Sequence, residues 1–341
     1  MMPHSKTVLL TGISGFIGMH TAVQLLAKGY TVRGTLRHLD RAAQVRETIG
    51  KHAPVERLDI VACDLLDADS WMKASEGVDY VQHIASPLPH VQPKNRDELI
   101  VPARDGALNV LRAARANGVK RVVMTSSIAA IGYGHKNKNR VFSEKDWTNP
   151  SDKKDVTPYS ESKTRAEQKA WEFAKENQPF ELVTVNPSYV LGPALDPDFS
   201  ASMLLIKKML DGDMPGAPRM WVNIVDVRDV AAMHLLAMEH PQAAGKRFIC
   251  SAGGLYLLEI GQILRRHFPQ QARKTPTFTL PDFLVRLFSL FDKETANIVN
   301  ELSLKRVFDA SEAKKVLGWT PGKLETAVTD AATSLIELGV V

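Results

Sequence analysis

Short apolar runs alternate with longer stretches in which apolar residues recur every three to four positions. The runs at residues 6–11, 31–36, 58–63, 80–84, 121–125 and 182–185 lack the strict in–out alternation of half-buried strands. They read as strands buried on both faces. The helical period shows at residues 16–28, 105–117 and 160–177. Strands alternating with helices predict right-handed βαβ units and a parallel sheet covered on both sides. The pattern changes after Pro193. Residues 194–218 carry prolines and glycines around a short helical stretch at 202–210, and a strand-to-helix segment follows at 221–238. Further helices are expected at 258–267, 283–291 and 323–338. We therefore expect a sheet domain over 1–193, to which the chain returns around 221–240, and a smaller lobe over 194–341. The long polar loop at 134–158 is expected to be partly mobile.

Composition narrows the class. The 341 residues are 44% hydrophobic and 24% charged, the balance of a globular enzyme. No apolar run approaches the roughly 20 residues that span a bilayer. The opening MMPHSKTVLLTG has no charged-then-apolar leader, so a cytoplasmic protein without membrane partners is expected. The formal charge of +5 is dispersed, with no basic block interleaved with aromatics, which argues against nucleic acid. Cys63 and Cys250 lie in apolar strands and read as small buried hydrophobes, not as a disulfide or zinc pair. The histidines, among them His83, His90 and His234, show no ligand spacing, so no metal is expected. His83 and His234 read as packed behind the site.

The first strand runs into GISGFIG and then a helix. Gly12 permits the tight turn, Gly15 lets backbone approach a pyrophosphate, and Gly18 lets the helix pack on the strand. Phe16 and Ile17 complete this phosphate-binding turn at the helix N-terminus, where free amides and the dipole favour anions. The fold class is therefore α/β, a Rossmann-type doubly wound parallel sheet. The second strand ends in Arg37, where an NAD enzyme usually carries an acid, and a guanidinium there suits a 2′-phosphate. Arg41 offers a second contact, and NADP(H) is the expected cofactor. Asp64 and Leu65, after the third strand, are expected to meet the adenine. The alternative for Asp64 is an N-cap of the next helix.

The strand at 121–125 delivers Ser126 and Ser127 to its C-terminal end, the ligand-binding end of an open parallel sheet. Tyr159 and Lys163, four apart at a helix start, share one face with Ala166 and Ala170, while Glu161, Arg165 and Glu172 mark the opposite, charged face. Carbonyl reduction needs a hydride on carbon and a proton on oxygen. A free phenol, with a pKa near 10, is a sluggish donor at neutrality. A lysine ammonium nearby is expected to lower it, and a serine hydroxyl to steady the developing alkoxide.

The segments TGISGFIG, CDLLD, VQHIASP, MTSS, YSESK, NPSYVLGP, VDVRDVA and LGWTP stand in the order seen in the extended short-chain dehydrogenase/reductases. The chain resembles that family from Thr7 to about Pro321. It is most similar to the dihydroflavonol-4-reductase-like branch, and within it to microbial aldehyde/ketone reductases. The resemblance implies Ser127, Tyr159 and Lys163 as catalytic residues. It places Ile84, Ala85 and Ser86 along the cofactor, Pro187 to Val190 under the nicotinamide, and Ser202 at a later cofactor contact. Asn109 falls in the helix that often carries a structural asparagine. Gly132 stands near the place where plant flavonoid reductases carry a ring-reading asparagine, and Val156-Thr157-Pro158 replaces the cinnamoyl-CoA reductase block, so neither plant activity is implied.

Pro87, Tyr133, Tyr189, Met203, Ile206, Met220 and Trp221 are pocket candidates, each also suited to core packing. Together they point to a hydrophobic or aromatic carbonyl substrate in a monomer or homodimer. A sugar-nucleotide epimerase is the first competing reading, disfavoured by Arg37. An NADP-sensing regulatory protein is the second, disfavoured because Tyr159 and Lys163 are both present.

Overall fold

A computed structural model describes residues 6–87, 93, 95–177, 181–292, 295 and 298–341. His90 lies outside the described residues. Along the chain stand β1 (Thr7–Thr11), α1 (Phe16–Ala27), β2 (Thr31–Leu36), α2 (Ala42–Gly50), β3 (Leu58–Ala62), α3 (Ala68–Ala74) and β4 (Tyr80–His83). They are followed by α4 (Asp97–Ala116), β5 (Arg121–Thr125), β6 (Val141–Phe142), α5 (Pro158–Glu176), β7 (Glu181–Pro187) and β8 (Tyr189–Leu191). The remainder comprises α6 (Leu204–Asp211), β9 (Ala217–Pro218), β10 (Trp221–Asp226), α7 (Val227–Glu239), β11 (Arg247–Cys250), β12 (Gly253–Tyr256) and α8 (Leu257–His267). It closes with β13 (Thr279–Leu280), α9 (Asp282–Phe288), β14 (Val307–Phe308), α10 (Ser311–Leu317) and α11 (Leu324–Glu337).

Seven strands form one sheet in the order β11-β7-β5-β4-β1-β2-β3, and every pairing in it is parallel. Apolar side chains leave both faces of the sheet. One face packs on α1, α2 and α7 through Met19, Leu25, Val45, Val230 and Met233, and the other on α3, α4 and α5 through Trp71, Val110, Leu111, Ala166 and Ala170. A three-stranded sheet, β12-β10-β8, supports a third core with α6, α8 and α11, built on Met203, Ile206, Ile260, Leu264 and Val328. No described helix is long and apolar enough to cross a membrane.

Two expectations change. Helix α4 begins at Asp97 instead of residue 105 and carries Pro102 in its interior. An interior proline costs about 3 kcal/mol. Here burial of Leu99, Ile100 and Ala103 outweighs it. The loop at 134–158 is anchored instead of mobile. Its β6 pairs with β14, Phe142 stacks on Phe308 at 5.5 Å, and the fully buried Asp155 side chain accepts from Gly134 N (2.6 Å), Lys138 (2.6 Å) and Arg306 (2.7 Å).

Candidate active site

The strand order reverses direction at β1. The chain runs from β1 to β2 and β3 on one side and then crosses back to β4 on the other, which opens a crevice at the strands' C-terminal ends. Two glycines there are forced by contact. A Cβ on Gly12 (φ +69°) would stand 3.1 Å from Ala85 backbone, and one on Gly18 would stand 2.1 Å from the Gly12 carbonyl oxygen. Gly15 is the N-cap of α1 and is exposed, no side chain caps the helix, and the Gly15 amide donates to Gly12 O (3.0 Å). The first-turn amides of α1 beyond it are thus open to an anion. Phe16 and Ile17 are half-buried at the same turn.

The motif reading missed Thr11. Its hydroxyl oxygen accepts from Ile84 N (3.0 Å) and Ala85 N (2.9 Å), so its proton goes to His83 Nδ1, 3.1 Å away. This latch holds the β4 exit against the glycine turn and leaves Ile84, Ala85 and Ser86 half-buried along the crevice. Burial pushes His83 down to about 3, so it stays neutral.

Arg37 ends β2 in the open, its Nε 3.5 Å from the half-exposed Asp64. Arg41 does not serve as a free second contact. It is held by Asp198 (2.6 Å) and Asp196 (3.4 Å), acids too distant in sequence for the local motif to reveal. Asp64 accepts from Leu66 N (2.8 Å), and the N-cap of α3 is Asp67, so the capping alternative for Asp64 fails. Leu65 fills the space that Gly106 leaves open on α4, and Asn109 donates to the Leu65 carbonyl (3.3 Å), which gives that asparagine its structural place.

Ser126 and Ser127 leave β5 with both side chains buried. Ser127 Oγ accepts from Ala129 N (3.1 Å), donates to the Pro187 carbonyl (3.5 Å), and lies beside the Tyr159 phenol. Tyr159 opens α5 because Thr157 caps that helix through Ser160 N (3.1 Å) and Pro158 supplies a preset φ at its first position. One turn on, the buried Lys163 ammonium donates to the Thr125 carbonyl (3.4 Å). Burial lowers it to about 8.

Tyr159 behaves differently from expectation. Burial raises its pKa, and the neighbouring Ser127 hydroxyl, not Lys163, pulls the other way. Pro187 is buried at the end of β7, Val190 is half-buried in β8, and Ser202 donates to the Val190 carbonyl (2.6 Å). The charged face of α5 also needs correction. Glu161 is buried beneath Arg96 (2.9 Å) and Lys153 (2.6 Å), whereas Arg165 and Glu172 are exposed.

Met203 and Ile206 sit fully inside the third core, away from solvent, while Pro87, Tyr133, Tyr189, Met220 and Trp221 are half-buried. Tyr133 lies under the Arg306 guanidinium at 4.5 Å, and burial raises its pKa. Phe308 presses on Gly132, where a Cβ would come within 2.5 Å of its ring, so no asparagine fits there. A cavity of about 500 Å³ lies at the opposite end of the sheet, lined by Tyr80, Arg115, Lys120 and Glu239, and contains none of these residues. Among the described residues no cluster of His, Cys, Asp or Glu is arranged to hold a metal, and both cysteines are free and buried.

An uncapped helix N-terminus at the sheet crevice, faced by a serine, tyrosine and lysine, defines an α/β nucleotide-dependent enzyme of the extended short-chain dehydrogenase/reductase type. The chain belongs to the NAD dependent epimerase/dehydratase family, which it matches over residues 8–252. It is 40% identical over 274 residues to cinnamoyl-CoA reductase 2 of Medicago truncatula, covering 78% of this chain and 77% of that one. An uncharacterized oxidoreductase of Saccharomyces cerevisiae is 32% identical over 355 residues, 98% of each chain. Among solved structures, the yeast methylglyoxal/isovaleraldehyde reductase Gre2 complexed with NADPH superposes with a TM-score of 0.81 at 26% identity, over 98% of this chain and all of that one.

Proposed function

We propose that the protein is an NADPH-dependent reductase of aldehydes and ketones with hydrophobic or aromatic substituents. The observation that carries this is the buried Tyr159 phenol with the Ser127 hydroxyl beside it, one turn from a buried ammonium, on the crevice that the glycine turn opens. The residues fit NADPH. Gly12 and Gly18 tolerate no side chain, α1 presents uncapped amides for the pyrophosphate, and Arg37 stands exposed at the β2 end for the 2′-phosphate.

Bound NADPH supplies the hydride, and the chain does the rest. Tyr159, kept protonated by burial, gives its proton to the carbonyl oxygen. Ser127 turns its one hydroxyl proton to the same oxygen as it gains charge. Lys163 places a positive charge beneath the site and holds the nicotinamide ribose. Tyr133, Tyr189, Met220 and Trp221, all half-buried, offer apolar surface for such a substrate. Residues 194–341 supply most of the cover over it. The relatives support this reading: one is a cinnamoyl-CoA reductase, and a structural neighbour reduces methylglyoxal and isovaleraldehyde.

The test is NADPH oxidation against aromatic aldehydes, aliphatic ketones and dicarbonyls, with UDP-sugars as controls. Tyr159→Phe should lower kcat by ~10²–10⁴-fold with NADPH binding intact. A near wild-type rate in Tyr159→Phe would overturn the mechanism, and turnover of UDP-sugars alone would overturn the substrate class.

A further inference from the structure

One turn beyond Lys163 on α5 stands Glu167, a fully buried carboxylate that the catalytic motif does not include. Five side chains from four places in the fold converge on it. Ser126 donates to Oε2 at 2.6 Å, Asn186 to Oε2 at 2.9 Å, Thr184 to Oε1 at 2.9 Å, Trp171 to Oε1 at 3.2 Å, and Arg247 of β11 to Oε1 at 2.7 Å. A lone buried carboxylate costs several kcal/mol, so this arrangement persists only because Arg247 balances its charge and the other donors fill its lone pairs. Arg247 is itself held over the Trp147 ring at 3.7 Å and by the carbonyls of Glu144 and Asp146.

Two of these contacts lead directly to the reacting groups. Ser126 precedes Ser127, and Asn186 Nδ2 also donates to the Ser127 carbonyl (3.2 Å), while the next residue, Pro187, lends its carbonyl to Ser127 Oγ. Glu167 thereby clamps both strand ends between which the Ser127 hydroxyl is aimed. We infer that Glu167 is a positioning residue of the reaction, fixing the backbone that presents Ser127 and, together with Arg247, setting the charge balance that lets Lys163 stay an ammonium inside the protein. This rests on the roles proposed above for Ser127 and Lys163.

The charged and titratable groups around Lys163 are few. Tyr159 and Glu167 lie on its own helix, the neutral His83 on β4, the neutral His234 on α7 behind Thr125, and Arg247 on β11 behind Glu167. Glu167 opposes the burial that lowers Lys163. Removing the carboxylate leaves Arg247 unbalanced and makes the ammonium harder to keep. Removing Arg247 does the reverse.

The test measures NADPH affinity by fluorescence between pH 7 and 10, with thermal melting to confirm the fold. Wild type should lose affinity as pH rises through about 8. Glu167→Gln should move that limb about one unit to lower pH, and Arg247→Met should move it to higher pH. At pH 6.5 Glu167→Gln should also lower kcat about tenfold or more with KM within about twofold, because Ser127 is misaimed. Opposite shifts from the two variants are the signature of charge and are not produced by loosened packing. Shifts of the same sign, or none, would overturn the inference. If Glu167→Gln does not fold, an alkaline shift in Arg247→Met supports the inference and an unshifted limb refutes it. A protein that shows these limbs but reduces no carbonyl refutes the proposed reaction and leaves the charge balance standing.

Discussion

Replacing Arg37 by alanine isolates the cofactor preference. The guanidinium is 71% exposed and its ion pair with Asp64, at 3.5 Å, is solvent-screened. Such pairs contribute roughly 0–1 kcal/mol, so the arginine gives up little when it turns to a phosphate. A charge-assisted hydrogen bond to the 2′-phosphate is worth about 1.5–3 kcal/mol. At 1.36 kcal/mol per factor of ten, that is an approximately 13- to 160-fold loss of NADPH affinity. NADH lacks the phosphate, and its affinity should stay within about twofold. Fluorescence titration of both cofactors, on wild type and Arg37→Ala, gives the two ratios. Equal losses for NADPH and NADH would make Arg37 structural, and a wild type without preference would refute the argument.

Gly18→Ala should lower stability by about 1–3 kcal/mol and weaken NADPH, since its Cβ would meet only backbone, the Gly12 carbonyl oxygen at 2.1 Å, and no side chain can yield. Thermal melts and NADPH titration check this, and an unchanged melt would count against the close helix–strand packing. The pH dependence has a defined sign. Lys163, lowered to about 8, is charged below that value and loses its proton above it, so NADPH affinity should fall as pH rises through about 8. In Lys163→Met that limb should vanish. Its persistence in the variant would assign it to another group.

How much of this was legible beforehand depended on how local each cause is. Strand–helix alternation and the spacing of Gly12, Gly15 and Gly18 express short-range sterics and period, which a chain carries in its own order. Tyr159 and Lys163 share a helical face by spacing alone, and Ser127 follows a strand whose C-terminal end is the open one. Such features needed no knowledge of distant neighbours. Other features came from pairings across the fold. Arg41 read as free until Asp196 and Asp198, more than 150 residues away, closed on it. Met203 and Ile206 were pocket candidates that taken singly suited core packing better, and the packing of α6 on α11 placed them inside. Glu161 read as solvent-facing by its charge until Arg96 and Lys153 buried it. The helical period showed only from residue 105, and the α4–α5 interface carries the helix back through Pro102 to Asp97. Periodicity and backbone sterics are properties of neighbouring residues, so the sequence by itself determined the α/β layering, the glycine turn and the Ser–Tyr–Lys set. Burial, and the partner each charge finds, belong to residues far apart in the chain, so only the tertiary structure decided that Thr11 latches the crevice and that Glu167 stands beneath Ser127.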